Sequence, residues 1–416
     1  MKLVGDFHIH GRYAQACSKL TTITNLEQYA KIKGLDILGT GDCLHPKWFE
    51  EINSLLKEDE NGVLWSKTNF PFIWQTELSF AYSQDGKGRR IHLVVLFPNK
   101  EVVIQVRDAL LKRWRLDYDG RPIFGMSCIE FTELMMSISK DIEIIPAHML
   151  TAWMSIFGSK SGFNSVEECF KEKSKYIHAL ETGMSSTPAM DRRISKLDKY
   201  QLVSFSDNHS FYPWRLGREA TIFDTEINYK EIINAIRTGE KLKGTIETYP
   251  EYGKYHVDGH RACNITLNPE QTKKIGGVCP NCKRELTIGV AYRVEELADR
   301  SIEEGVKLAA NKQTHCLIPL TEIIAASYDI TGLASKKVWE IYNLIIKHFK
   351  TEFNVLISVP EAELAKVIHP KLASLIIKNR EDKLNIKPGY DGVYGRIQLS
   401  NDEKVIEGKQ KSLGEF

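Results

Sequence analysis

Along the first 225 residues, short runs of β-branched and aromatic residues alternate with stretches whose apolar positions recur every three or four residues. Strand-like runs occupy 2–10, 35–40, 72–77, 91–97, 142–148, 177–181, 202–207 and 220–223, and helix-like stretches occupy 25–33, 46–56, 101–116, 131–139, 166–173 and 188–199. Such alternation predicts an α/β barrel or a doubly wound sheet. Residues 249–255 are turn-rich, and a compact Cys/His segment follows to about 290. Beyond it, 294–309, 335–350, 361–367 and 370–378 predict helices, 388–395 is a glycine-rich loop, and the polar residues 401–416 predict a mobile tail. Four regions follow: a catalytic unit at 1–245, a metal module at 246–292, a helical region at 293–400 and a tail at 401–416. There is no internal repeat of the length that builds solenoids.

Composition changes this picture little. The chain has 416 residues, 42% of them hydrophobic and 26% charged, as ordinary globular proteins do. No apolar run approaches the roughly 18 residues that span a bilayer, and the first residues lack a leader pattern. The expected location is therefore the cytoplasm, without membrane association. Of eight cysteines, five are scattered as buried thiols would be, and three cluster between Cys263 and Cys282, which points to metal rather than disulfides. A net charge of +2 neither requires nor excludes nucleic acid.

The candidate chemistry lies in position. His8 and His10, two apart on a strand, point the same way. Asp42, Glu77, His148 and Glu181 end later strand runs, His92 lies within one, and Asp207 and His209 end another. In a barrel of parallel strands the C-terminal rim gathers catalytic residues. Imidazoles and carboxylates converging there can hold two or three divalent ions (Zn, Mn, Mg or Fe) that clamp a phosphate and activate water. A lone histidine such as His92 is as often a core residue as a ligand; the repeated placement at strand ends carries the reading.

Phe7-His-Ile-His, Thr40-Gly-Asp, Glu77, Pro146-Ala-His and Ser206-Asp-Asn-His resemble the ordered motifs of the polymerase-and-histidinol-phosphatase (PHP) family over residues 1–245. The resemblance implies a distorted (β/α)7 barrel with a multinuclear metal centre. By position it implies that His8, His10, Glu77 and Asp207 hold one ion, that Glu77, His92 and His148 hold a second, and that Asp42 and His209 serve a third. Glu77, Asp207 and His209 would carry the catalysis. Gly41-Asp42 stands where members often have Asp-His, and no third histidine closely follows His10. His45 could contribute or could simply precede the helix start at Pro46.

His260, Cys263, Cys279 and Cys282 have the spacing of a structural zinc site, with His256 competing with His260 for the fourth position. Some forty residues cannot bury enough surface unaided, so the metal would fold them. At the C-terminus, Gln410, Leu413 and Phe416 resemble the box that binds the sliding clamp PCNA.

Longer stretches widen the resemblance to nearly the whole chain. Gly253-Lys-Tyr-His-Val-Asp-Gly-His-Arg-Ala-Cys263, Leu216-Gly-Arg-Glu-Ala220, Phe157-Gly-Ser-Lys-Ser-Gly-Phe163 and Pro388-Gly-Tyr-Asp-Gly-Val-Tyr-Gly395 are similar to the endonuclease Q family of PHP-type DNA repair enzymes. That implies cutting DNA 5′ to deaminated bases (uracil, hypoxanthine, xanthine) or abasic sites, with damaged DNA and the clamp as partners. The region 333–396 carries eleven Lys/Arg against seven Asp/Glu, which suits phosphate tracking or a solvated face equally. Base selection needs N–H donors aimed at the carbonyl that deamination creates. Gly158, Ser159, Lys160 and Ser161 are candidates for part of that pocket, or form a plain surface loop. The competing function is a small-molecule phosphomonoesterase of the histidinol-phosphatase kind.

Overall fold

The computed structural model describes residues 2–405, so Gln410, Leu413 and Phe416 lie outside the described residues. Lys2–Asp6 pairs in parallel with Ile37–Gly39, which pairs in parallel with Pro71–Gln84. On its other side Lys2–Asp6 meets Ala220–Asp224 antiparallel, followed by Leu242–Glu247. Ala179–Glu181 and Gln201–Val203 form a separate parallel pair. A lone bridge from Ile9 to Asn208 joins the chain beyond that pair to the chain beyond the first strand.

Successive strands each contribute a buried apolar residue to one cluster that includes Leu3, Ile37, Ile73, Val94, Ala179 and Val203. The result is a mixed α/β fold in which these strands share one core. Among the described residues, no helix is long and apolar enough to cross a membrane.

Two expectations need correction. The runs at 72–77 and 91–97 are not separated members of an alternating series. They are arms of one antiparallel hairpin, Pro71–Gln84 and Lys87–Phe97. Asp85 and Gly86 between them both have left-handed backbone (φ 53° and 73°), as a two-residue hairpin turn requires. The pairing sets Glu77 opposite Val94 and Ser79 opposite His92, so Glu77 and His92 share a face as diagonal neighbours. The expected single helix at 294–309 is two helices, Val290–Leu297 and Ile302–Ala309. Ser301 starts the second with a capping box to Glu304, and that local hydrogen bonding ends the helical periodicity between them.

The region expected to be helical also returns a strand to the main sheet. Gln313–Cys316 lies parallel to Leu242–Glu247. Helices Leu320–Ser327, Lys336–Phe349, Glu352–Ile357 and Pro370–Arg380 follow. They are fastened to the sheet-bearing half by a buried ion pair. Lys33 Nζ, at the end of helix Ile23–Lys33, lies 2.7 Å from Glu352 Oε1 and donates to the Pro213 carbonyl at 2.8 Å. The Glu352 carboxylate also accepts from the Leu320 N–H and the Tyr342 hydroxyl. The ammonium thus has two acceptors and both carboxylate oxygens have donors, and such pairing is what lets a buried ion pair be tolerated. Replacing Glu352 with Ala strands Lys33 and is expected to cost about 3–5 kcal/mol, read as a lower midpoint in denaturant. An unchanged midpoint would refute the fastening.

Candidate active site

The expected donors meet in one place, His8, His10, His148 and Asp207 from just beyond strands and Glu77 and His92 from within the two hairpin arms, not from a strand end as expected of Glu77. His8 Nε2 lies 3.4 Å from Glu77 Oε1 and 3.5 Å from Asp207 Oδ1, and His10 Nε2 lies 3.2 Å from Glu77 Oε2 and 3.3 Å from Asp207 Oδ1. His8, His10, Glu77 and Asp207 form one group whose donor atoms all lie within 4.8 Å of each other, and Glu77, His92 and His148 form a second. His92 Nδ1 is 2.6 Å and His148 Nε2 3.4 Å from Glu77 Oε1.

The 3.2–3.5 Å spacings of the first group suit a cation, whereas the 2.6 Å between His92 and Glu77 is that of a hydrogen bond. Four ligands about 2.0–2.1 Å from a tetrahedral ion stand about 3.3–3.4 Å apart. His8 Nε2, His10 Nε2, Glu77 Oε1, His92 Nδ1 and Asp207 Oδ1 are buried without a hydrogen-bond partner. Burying so many polar atoms unpaired is costly, and a divalent ion would satisfy them together.

The opposite ring nitrogens are occupied. His8 Nδ1 faces the Glu181 carboxylate at 2.9 and 3.1 Å, His10 Nδ1 faces Asp42 Oδ1 at 2.9 Å, and His148 Nδ1 faces Ser155 Oγ at 2.9 Å. A carboxylate on Nδ1 fixes the proton there and turns the Nε2 lone pair inward. Asp42, His148 and Asp207 themselves have left-handed backbone (φ 40°, 31° and 45°). That conformation is uncommon without glycine, costs on the order of 1–3 kcal/mol, and clusters at functional sites. Opposite His148, Gly183 is obligatory. Its φ is 72°, and a Cβ there would come within 2.7 Å of the His148 Cβ.

The local field favours positive charge. Burial opposes a charged His8, but Glu181, then Glu77 and Asp207, outweigh it and raise its pKa well above the ordinary imidazole value. Burial likewise opposes the Glu77 carboxylate, yet His92, Arg121 and His8 draw its pKa well below the usual range. Burial lowers His92 to about 4 against the pull of Glu77, so its ring is neutral at pH 7 and free to ligate.

The remaining expected residues are placed as follows. Asp42 is turned to the His10 ring and accepts from the Gly11 N–H at 2.6 Å. The His209 ring lies 4.5 Å from that of His10, centroid to centroid. Asp42 and His209 do not join a third group of three donors among the described residues. His45 stacks on Tyr13, apart from both groups.

The loop carrying Gly158, Ser159, Lys160 and Ser161 does not reach the donors. Ser159 Oγ donates to the Ile288 carbonyl, Lys160 Nζ lies 3.7 Å from Glu285, and Ser161 Oγ donates to the Arg90 carbonyl. The loop is therefore a strut between the Cys/His segment and the hairpin.

A cavity of about 130 Å³ does open beside the donors, lined by His148, Glu181 and Asp207 and by Ser185, Arg218 and Tyr394 among others. Arg218 Nη1 lies 3.3 Å from the Tyr394 hydroxyl, and Arg215 and Lys254 sit over its ring. Burial pushes the phenol up, but Arg218, then Arg215 and Lys254, bring it down to about 8.

His260, Cys263, Cys279 and Cys282 form the third donor group. His256 is turned away from it, with Nδ1 3.4 Å from the Ser185 carbonyl. The N–H groups of Cys282 and Asn281 help bring the Cys279 thiol down to about 6, toward the thiolate that metal requires.

Arg121 and the Arg218–Tyr394–Lys254 wall were not singled out as site residues from the sequence. Arg121 stands in a loop without a motif, although Arg218, Lys254 and Tyr394 lie inside stretches that carried the longer resemblance.

Two solved structures match this chain over almost all of its length. The lesion-specific endonuclease Q of Pyrococcus furiosus is 31% identical, with 97% of this chain and 96% of that one covered and a TM-score of 0.85. The chain belongs to the endonuclease Q family. Endonuclease Q in complex with a 27-mer duplex carrying an abasic lesion at its active site is 30% identical, with 99% and 100% covered and again a TM-score of 0.85. As a member of the endonuclease Q family, the chain is a nuclease. Residues 319–383 match the MJ0043 C-terminal domain family. The uncharacterised protein MJ0043 of Methanocaldococcus jannaschii is 34% identical over 255 residues, and the match spans 31% of that longer protein.

Two outcomes follow. Metal analysis of purified protein should find less bound divalent metal in Glu77→Gln and one metal ion fewer in Cys279→Ser; wild-type content in either variant would contradict the assigned donors. Absorbance titration should find one tyrosine ionising near pH 8 that is missing in Tyr394→Phe. Because the folded phenol is depressed from its usual 10.0, the stability it adds appears as pH rises above 8 and is complete above 10. Titration of all tyrosines near their ordinary value would refute the cationic wall.

Proposed function

We propose that the chain is a DNA repair endonuclease that hydrolyses the phosphodiester 5′ to a deaminated base or an abasic site. The single observation that carries the chemistry is the pair of donor groups sharing Glu77, with their inward-facing atoms unpaired. We read the main sheet together with the separate strand pair as the distorted barrel of the PHP family, and the two groups as sites for two of its ions. Bound there, divalent ions would neutralise the phosphate and lower the pKa of an attacking water.

The chain's own residues supply the rest. Glu181 and Asp42 hold the imidazoles to one orientation. Arg121, whose Nη1 lies 3.0 Å from Glu77 Oε2, presents a guanidinium to charge developing on the phosphate. The cavity beside Asp207 takes the displaced base. Its walls are rich in donors: Arg218, Lys254, Ser185 and Ser206, whose Oγ has no partner. Burial raises Glu219, on the same wall, to about 8, so its carboxyl keeps a proton to donate at pH 7. Where Arg218, Lys254 and the protonated Glu219 face the base, they pair with the carbonyl left by deamination and offer no acceptor to the amine of cytosine or adenine. The base reaches it by leaving the stack, which costs least at a mispair or an abasic site. The tail with Gln410, Leu413 and Phe416 is proposed to dock the sliding clamp.

The test is a gel of end-labelled duplexes containing one uracil, one hypoxanthine or one abasic site, with Mg²⁺, Mn²⁺ or Zn²⁺ supplied. Incision immediately 5′ to the lesion is expected, lowered more than about 100-fold in His8→Ala. Turnover of a chromogenic phosphate monoester with every duplex intact would instead make the chain a small-molecule phosphatase.

A further inference from the structure

Between helix Lys100–Leu111 and the short strand Ile123–Phe124, residues 112–122 lie outside regular structure. This loop carries Lys112, Arg113, Arg115 and Arg121 against Asp117 and Asp119. Lys112, Arg113 and Arg115 are exposed. Arg115 is matched to Asp117, but that pair stands in water and contributes little.

Basic loops are common as plain solvated surface. Three features set this one apart. It exposes apolar groups among its charges: Tyr118 is 51% exposed and Ile123 53%. The Tyr118 ring is held, because its hydroxyl accepts the Ile123 N–H at 2.6 Å. An exposed ring held by its far end suits a stacking platform. Finally, the loop leans on the active site. Asp119 accepts from the Gln15 and Arg121 N–H groups, and the Gly120 N–H donates to the Tyr13 carbonyl. Gly120 sits so close to Asp42 that a Cβ would come within 2.5 Å of Oδ2.

Position gives the loop a direction. The base cavity touches the donor cluster at His148, Glu181 and Asp207, whereas the loop touches it at Glu77 and Asp42. A strand whose lesion nucleotide entered the cavity, and whose cut bond lay at the donors, would meet this loop next. With the cut 5′ to the lesion, the part over the loop is the 5′ arm.

We infer that residues 112–123 hold the DNA strand on the 5′ side of the cleaved bond, with Lys112, Arg113 and Arg115 on successive phosphates and the Tyr118 ring under a base. This rests on the strand-cutting reading above. The surface places three cations beside an aromatic face, the pairing that single strands need and that small phosphate monoesters do not.

The experiment uses the full chain, a Lys112→Ser/Arg113→Ser/Arg115→Ser variant and Tyr118→Ala. Each is assayed on uracil duplexes whose labelled strand is full length or shortened on the 5′ or the 3′ side of the lesion. All four residues are exposed and none touches the donors. The triple variant is expected to keep kcat within about two-fold and to raise KM at least ten-fold, with a salt slope smaller by about 2–3. Tyr118→Ala is expected to raise KM about 5- to 100-fold. Wild type should weaken when the 5′ arm is shortened, and the variants should no longer respond. Hydroxyl-radical footprinting with His8→Ala, whose loop is intact, should protect nucleotides 5′ of the cut. Unchanged KM and arm dependence in both variants, or protection confined to the 3′ side, would overturn the inference. Wild type that cuts no duplex would instead remove the function on which it rests.

Discussion

The structure depends on a charge imbalance around Glu77. This carboxylate is withdrawn completely from water and is approached by His8, His10, His92, His148 and Arg121. A charge buried this far is tolerable only if paired. Arg121 meets one oxygen, while the other is left to imidazole nitrogens that are themselves unpaired. The protein has spent strand ends, three left-handed residues and two further carboxylates to hold these atoms facing each other. Such an arrangement is expensive unless a cation completes it, which is why the donor geometry outweighs any one motif as evidence of chemistry.

The supporting tier explains how the donors stay in place. Asp42 and Glu181 each hold one imidazole by its outer nitrogen. Glu181 also accepts the His148 N–H at 2.6 Å, so a single carboxylate steadies members of both groups. Asp42 is in turn gripped by the Gly11 N–H and confined by Gly120. Asp42 thus serves the centre through His10, in an orientation that the list of ionisable strand ends could not convey. Rank along the chain tells which residues reach the rim; only backbone conformation tells which way each then turns.

That distinction separates what was legible from what was not. His8, His10, His148 and Asp207 were legible as residues just past strand ends because β periodicity and residue chemistry are both local, whereas Glu77, expected to end its strand, stands midway along the arm Pro71–Gln84. The hairpin was half legible. Its Asp85-Gly86 turn signal stood in plain view, but a series of alternating elements masked it. The placement of Gly158 to Ser161 was not legible, because a glycine-rich loop reads alike whether it cradles a base or braces a neighbouring segment. Arg121 and Tyr394 were hidden for another reason. They act across 44 and 176 residues of chain, on Glu77 and Arg218 respectively, and no local pattern encodes such a meeting.

Tyr394 also ties the Cys/His segment to the active site. Asp391, three residues before it, accepts from the Arg261 N–H through one oxygen and from the Thr287 hydroxyl through the other. Val257 bridges to Tyr390, and the Gly389 N–H donates to the Glu251 carbonyl. Arg261 lies beside His260, and Thr287 lies five residues beyond Cys282, so whatever orders those donors orders the two anchor points of Asp391. Asp391 then fixes the turn from which Tyr394 reaches Arg218. The Cys/His segment is thus tied to the wall of the cavity, and the hydrogen bond from Ser159 to Ile288 braces it as well. In physical terms, the four Cys/His donors near residue 270 serve a pocket whose chemistry lies at Asp207 and Arg218.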